Sequence, residues 1–146
     1  MSPHELFTLA GDAISRGGSL TFTVSGDSMR PLLRSGRDSV RLTAPVRPYR
    51  VGDLVLAQAG GRVLLHTVIA VDYMGTTVTL MGAGNLQQKE VCHVSAIAGV
   101  VSEVTRNGRT ISTSSRKWKM CDSAWRKLLP FRRLLLFIDR KLNNAF

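Results

Sequence analysis

One segment sets the architecture of this chain: Leu20-Thr21-Phe22-Thr23-Val24-Ser25-Gly26-Asp27-Ser28-Met29-Arg30-Pro31. Its first half alternates apolar and polar residues, which predicts a half-buried strand over 20–24. A turn is predicted at Ser-Gly-Asp, and Pro31 prevents a regular continuation. Ser28 then stands at a strand end, where Gly26 leaves room for another backbone, and this position suits a nucleophile. The alternative is an ordinary turn in which Ser28 hydrogen-bonds to its own backbone.

Further strands are predicted from apolar or alternating runs at 38–42, 51–57, 62–71, 76–81 and 94–105. Gly60-Gly61 predicts a hairpin, and Asn107-Gly108 predicts another turn. Strands at near-regular spacing without intervening helices predict a mainly β fold, built as a folded antiparallel sheet or partial barrel.

A short amphipathic helix is predicted over 3–16, capped at Ser2 and ended by Gly17-Gly18. Its apolar face is expected to cover one end of the core and to consist of Leu6, Leu9, Ala10, Ala13 and Ile14.

Composition limits the class of protein. The 146 residues, 44% hydrophobic and 21% charged, suffice for a globular domain with its own core. No apolar run approaches the roughly 18 residues of a membrane-spanning helix, and the N-terminus does not resemble a signal peptide. Cys92 and Cys121 form neither a disulfide framework nor a metal-ligand spacing. We therefore expect a cytoplasmic protein without a metal or other cofactor.

The positive charge is concentrated at the end of the chain. Residues 106–146 carry +9 of the formal net charge of +10. This distribution argues against a domain that coats nucleic acid and divides the chain into a β core domain, 1–112, and a basic C-terminal tail, 113–146. The tail combines tryptophans and an apolar run at 134–138 with basic residues. It is predicted to dock on the sheet as a helix, or to lie on an anionic membrane or a partner; binding to the membrane would be salt-sensitive.

His66 is the best-placed general base for Ser28. It lies in an apolar part of the predicted strand 62–71, where an unpaired imidazole is costly. A neutral imidazole suits proton transfer from a serine hydroxyl. The alternative is a core histidine whose nitrogens are hydrogen-bonded. His4, in a helix cap, and His93, near a strand start, are less well placed, so we expect Ser28 and His66 within hydrogen-bond reach.

Four sequence boxes now resemble a known family: Gly26–Pro31, Tyr49–Val55, Leu65–Ile69 and Gly82–Asn85. Their order and spacing are similar to those of bacterial type I signal peptidases and SOS-repressor-type self-cleaving serine peptidases. The likeness covers about residues 20–110 and looks closest to short, soluble signal-peptidase-like members. It implies the mainly β fold of the signal peptidase and LexA type.

The resemblance also implies roles for individual residues. Ser28 would be the nucleophile, with Met29 near the substrate pocket, and His66 would be the base where bacterial signal peptidases have lysine. Gly26 stands where some relatives carry a second oxyanion donor. The family's Gly-Asp-Gly-Asn box here contains Ala83, so the aspartate that would orient the histidine is replaced.

A serine endopeptidase that cleaves a leader or precursor peptide is therefore expected, with activity reduced or abolished by Ala83. The alternative is a non-catalytic peptide-binding relative of the same fold. A self-cleaving repressor is disfavoured, because no DNA-binding segment is recognised before the protease-like part.

Overall fold

The computed structural model describes residues 2–25, 29, 32–82 and 89–127, with only the main chain described for Asp122 and residues 124–127. Within these residues the chain is mainly β, with eight strands in one open antiparallel sheet and two short helices. This confirms the predicted fold class at the level of a mainly β, antiparallel sheet.

The bounds of the elements in chain order are α1 Pro3–Ser15, β1 Leu20–Thr23, β2 Asp38–Thr43, β3 Leu54–Ala59, β4 Arg62–Val71, β5 Thr77–Met81, β6 Glu90–His93, a 3-10 turn Val94–Ala96, β7 Ile97–Arg106, β8 Arg109–Ser112 and α2 Arg116–Lys127. The strand order is β1-β2-β7-β3-β4-β5-β6. Strand β2 pairs with residues 100–106 along one edge of β7. On the opposite edge of β7, β3 pairs with residues 97–100 and β8 with residues 103–106.

Strand β3 is buried on both faces and separates two apolar cores. Leu54 and Leu56 point into the first, which we call the helix-side core because Ala10 of α1 and Trp118 of α2 belong to it. The second, the inner core, contains Val55, Ala57, Ala59, Leu64, Val68, Val78, Leu80 and Cys92. Because consecutive strand residues point to opposite faces, burial on both sides explains the continuous apolar run of β3.

The sheet curls so that β6 approaches β3, although two strands lie between them in the sheet. Glu90, at the start of β6, lies beside the β3–β4 turn. Its Oε2 is 3.3 Å from the position that a Cβ on Gly60 would occupy. The inner core fills the hollow of this curl, and we call the surface of β3–β6 that lines it the inner face.

Helix α1 begins at the predicted residue and ends at Ser15, one residue before the predicted end, and its buried face differs in part from the predicted one. The Ser2 hydroxyl accepts a hydrogen bond from the Glu5 N–H at 3.2 Å, as expected for a helix cap. Phe7 and Ile14 pack against the helix-side core, whereas Leu9 is 44% exposed. The buried face of α1 is therefore rotated from the predicted one. It includes Phe7, whose aromatic side chain buries more apolar area against the sheet than Leu9 would.

Strand β6 has no counterpart among the predicted elements. Glu90 is partly buried and Cys92 buried, while Val91, which points outward between them, is 63% exposed. In this strand a charged residue points inward and an apolar residue points outward, so the alternation of apolar and polar residues does not predict it. Residues 94–96, predicted as the start of a strand, form a 3-10 turn instead, because His93 caps them by accepting from the Ser95 N–H at 3.0 Å.

Candidate functional site

Strand β4 places His66 on the inner face. Leu64 and Val68, two residues to either side, belong to the inner core, and Val55 is the paired residue on β3. Side chains two residues apart in a strand share a face, so the imidazole points into the same hollow. Only 2% of His66 is exposed.

Both ring nitrogens of His66 are buried without a hydrogen-bond partner among the residues that the structure describes. The alternative of a hydrogen-bonded core histidine therefore has no support there. Burial lowers the pKa of His66 from 6.5 to about 4, while the charge of Glu90 raises it and that of Arg62 lowers it. The imidazole is uncharged at neutral pH, with a ring nitrogen that can accept a proton.

Three predicted site residues, Gly26, Ser28 and Ala83, lie outside the described part of the chain. The contact between Ser28 and His66 therefore stays a prediction. Met29 is described and lies in the helix-side core, 2% exposed. Neighbouring residues of a turn point in different directions, so the burial of Met29 does not fix the direction of Ser28, and its place near a substrate pocket also stays a prediction.

Asp38 makes hydrogen bonds that connect to both described ends of the segment that carries Ser28. Its backbone carbonyl accepts from the Val24 N–H at 2.8 Å, just after β1. Its carboxylate accepts from Arg106 Nε of β7 at 3.0 Å, and the same guanidinium donates to the Leu32 carbonyl at 2.7 Å. The described ends of the segment, residues 24 and 32, are thus both tied to the sheet.

The carboxylate of Asp38 is fully buried. Burial alone would raise its pKa, but hydrogen bonds from Arg37, Arg106 and the Arg34 N–H outweigh it and lower the pKa to about 2. The alternation of the predicted strand 38–42 favours outward polar residues, so the sequence does not predict this buried network. A clue was present, since Asp38 is in phase with the inward-facing Val40.

The only charged pair described on the inner face is at its rim. Arg62 opens β4 and Glu90 opens β6, and Arg62 Nη2 lies 2.7 Å from Glu90 Oε1. Sequence analysis did not single out either residue, because their contact depends on the curl of the sheet.

The other two histidines have structural positions. His93 caps the 3-10 turn, and Ser95 Oγ lies 2.9 Å from its Nδ1. His4 is exposed in the first turn of α1. Across the described residues, no group of three histidine, cysteine or carboxylate side chains comes together as a metal site would require.

A separate groove of about 600 Å³ opens between the segment before β3, the end of β8 and α2. Its basic lining residues are Arg47, Arg50 and Lys119. No residue of β4 lines it among those described, so it is distinct from the surroundings of His66. Arg47 is already paired with Asp53 through two hydrogen bonds at 3.0 and 2.8 Å.

The C-terminal tail is described as far as residue 127. Trp118 of α2 is 8% exposed and packs in the helix-side core, so this helix lies against the sheet. The apolar run at 134–138 lies outside the described residues, and membrane binding by the tail stays a prediction. None of the helices described reaches the length and apolar character required to cross a bilayer.

Comparison with protein-family models found no match for this chain, and comparison with curated proteins found none either.

Proposed function

We propose that this chain is a signal-peptidase-like serine endopeptidase in which Ser28 is the nucleophile and His66 the general base. The observation that carries the proposal is the buried imidazole of His66, which has no described hydrogen-bond partner. Unpaired buried polar groups are rare and costly, and in native proteins they often mark functional positions. The order of the four sequence boxes supplies the second support.

In this reaction the Ser28 oxygen forms a bond to the carbonyl carbon of the scissile peptide while His66 takes the hydroxyl proton. The Ser28 N–H would donate to the oxyanion. His66 then returns the proton to the leaving amine as the C–N bond breaks, and water hydrolyses the acyl-enzyme by the same route.

Two features predict a slow enzyme. A pKa of about 4 makes the His66 imidazole a weak base, because its buried site disfavours the imidazolium. Ala83 supplies no carboxylate at the position of the family's aspartate. In serine proteases, exchanging that aspartate lowers turnover by about ten-thousand-fold.

The proposed substrate is a leader or precursor peptide in the cytoplasm, reached by an enzyme that associates peripherally with anionic membrane through its basic tail. The net charge of the tail supports this placement, since residues 113–146 carry nine lysines and arginines against Asp122 and Asp139. Its test is salt-sensitive sedimentation with anionic vesicles.

A fluorophosphonate probe that labels activated serines tests the function directly. We expect labelling of the parent protein and of Ser25→Ala, the matched control in the same segment, and none of Ser28→Ala. Ala83→Asp should increase both labelling and peptide cleavage. Equal labelling of the parent and Ser28→Ala, or no labelling of any of these proteins, would overturn the proposal.

A non-catalytic peptide-binding module is the second candidate, favoured by the low pKa of His66 and by Ala83. It predicts that the parent and Ser28→Ala bind precursor peptides equally well, and that neither cleaves them nor labels with the probe.

A further inference from the structure

The register of three strands brings a carboxylate onto the face that carries His66. On β4, β5 and β6, Val68 pairs with Leu80 and Leu80 pairs with Glu90. Directly paired residues of neighbouring strands point to the same side of a sheet. His66 lies two residues before Val68, so His66 and Glu90 share the inner face.

Glu90 is held there by two features of the β3–β4 hairpin. Arg62 Nη2 contacts its Oε1 at 2.7 Å, and Gly60 lacks the side chain that would crowd its Oε2. The Glu90 side chain is only 14% exposed, whereas that of Arg62 is 53% exposed. The carboxylate therefore lies beside the β3–β4 hairpin, at the end of the half of β4 that contains His66, and the arginine is the more exposed partner of the pair.

Few other titratable groups face this hollow among the described residues. Strands β3 and β5 contribute apolar side chains to it, β6 adds the buried thiol of Cys92, and Tyr49 packs at its border. Burial lowers the pKa of His66 most, the charge of Glu90 raises it, and that of Arg62 lowers it. Among the described residues, the charges that act on the imidazole are those of this one arginine–glutamate pair.

We infer that Glu90, fixed in place by Arg62, is the charge partner of His66 and supports its protonated form from the rim of the inner face. The catalytic meaning of this pair rests on the proposed function. When the Ser28 proton moves to His66, the carboxylate of Glu90 partly balances the new positive charge and neither gains nor loses a proton. Glu90 acts through His66 and is a positioning residue, in a chain whose usual aspartate position holds Ala83.

The test is an NMR titration of the His66 ring in the intact protein and in charge variants, because it does not depend on enzyme activity. Glu90→Gln should lower the pKa of His66 by about 0.5, as expected for one charge at a partly screened distance. Arg62→Gln should raise it. The matched control is Glu103→Gln, which breaks an arginine–glutamate contact of 3.8 Å between β2 and β7, and should leave the pKa of His66 unchanged.

Where the serine probe labels the parent, Glu90→Gln should lower kcat more than it changes KM and move the acidic limb of the pH profile, and Glu90→Asp should recover part of kcat. An unchanged pKa of His66 in both Glu90→Gln and Arg62→Gln overturns the inference, whatever the activity. If the parent does not label with the serine probe while the pKa of His66 still falls in Glu90→Gln and rises in Arg62→Gln, the result overturns the proposed function and leaves the inference standing. If Glu90→Gln does not fold, Glu90→Asp takes its place: its shorter side chain withdraws the carboxylate, so the pKa of His66 should fall, and an unchanged pKa overturns the inference.

Discussion

His66 is an imidazole buried in an apolar hollow, and this placement has an energetic cost. Its two nitrogens are shielded from solvent and lack partners among the described residues. Leaving a buried polar group unpaired typically costs about 1–3 kcal/mol. A residue kept at such a cost fits a role in proton transfer better than a role in packing.

The first prediction concerns His66→Leu. The free energy of unfolding should rise, because an apolar side chain of similar size removes the unpaired nitrogens. The pH dependence should also change. The folded pKa of about 4 lies below the ordinary 6.5, so in the parent the unfolded chain binds the extra proton and stability falls by about 3 kcal/mol from pH 7 to pH 4.

Urea denaturation across that pH range measures both effects. His66→Leu should lose most of the slope, and the control His4→Gln, at the exposed first turn of α1, should keep it. If His66→Leu is much less stable than the parent at pH 7, the imidazole has a stabilising partner and its role in packing is the better explanation.

At the scale of elements, α1 rests on the sheet at a point where β7 has no side chain. A Cβ on Gly99 would collide with Ile14 Cδ1 and lie 3.0 Å from the Thr43 carbonyl oxygen. Gly99 also pairs with Leu56 in the centre of the sheet. The glycine therefore lets the helix and two strands come together at a distance that no other residue allows without movement.

The second prediction is that Gly99→Ala destabilises the protein by about 1–3 kcal/mol through overpacking. The cost should be smaller in an Ile14→Ala background, which removes the nearest atom, although the contact with Thr43 remains. Gly11→Ala is the matched control, because a Cβ there meets nothing within 4 Å and alanine favours the helix. Equal costs of Gly99→Ala in both backgrounds would show that Ile14 does not set the spacing.

At the scale of the whole molecule, the Asp38 network joins distant parts of the chain. It links the segment after β1, strand β2 and Arg106 of β7, which is 68 positions away in sequence. The bonds are short and charged, and the carboxylate is fully buried, so the network holds the backbone at Val24 and Leu32 as well as the edge of the sheet.

The third prediction is that Asp38→Asn lowers the free energy of unfolding by about 2–4 kcal/mol at pH 7, since Arg37 and Arg106 lose their counter-charge. The folded pKa of about 2 lies below the ordinary 3.8. The ionised carboxylate of Asp38 therefore contributes about 2 kcal/mol to the stability of the parent above pH 4. This contribution is lost as the pH falls toward 2. Asp38→Asn should lack that loss.

Thermal or urea unfolding between pH 7 and pH 2 provides the measurement. Glu103→Gln is the control, because its exposed pair with Arg41 should contribute less than about 1 kcal/mol. A stability of Asp38→Asn close to that of Glu103→Gln would contradict a central role for the network.

Local chemistry in the sequence determined much of this molecule. The apolar run of β4 predicted its bounds, 62–71, and the cap at Ser2 predicted the start of α1. Gly60-Gly61 and Asn107-Gly108 form the predicted turns with positive φ. Helix caps, turn residues and strand alternation act over a few neighbouring residues, so they are legible without knowledge of the fold. They also identified His66 as a candidate base.

The tertiary structure decided what depends on distant partners. The inward direction of Asp38 follows from Arg106, and that of Glu90 from Arg62 and the curl of the sheet. From the sequence alone, a polar residue in a strand is predicted to point to solvent. Only the order and register of the strands show whether a buried partner is within reach. Strand periodicity predicts which residues share a face, but only the packing of distant strands decides which face is buried and which charges meet there.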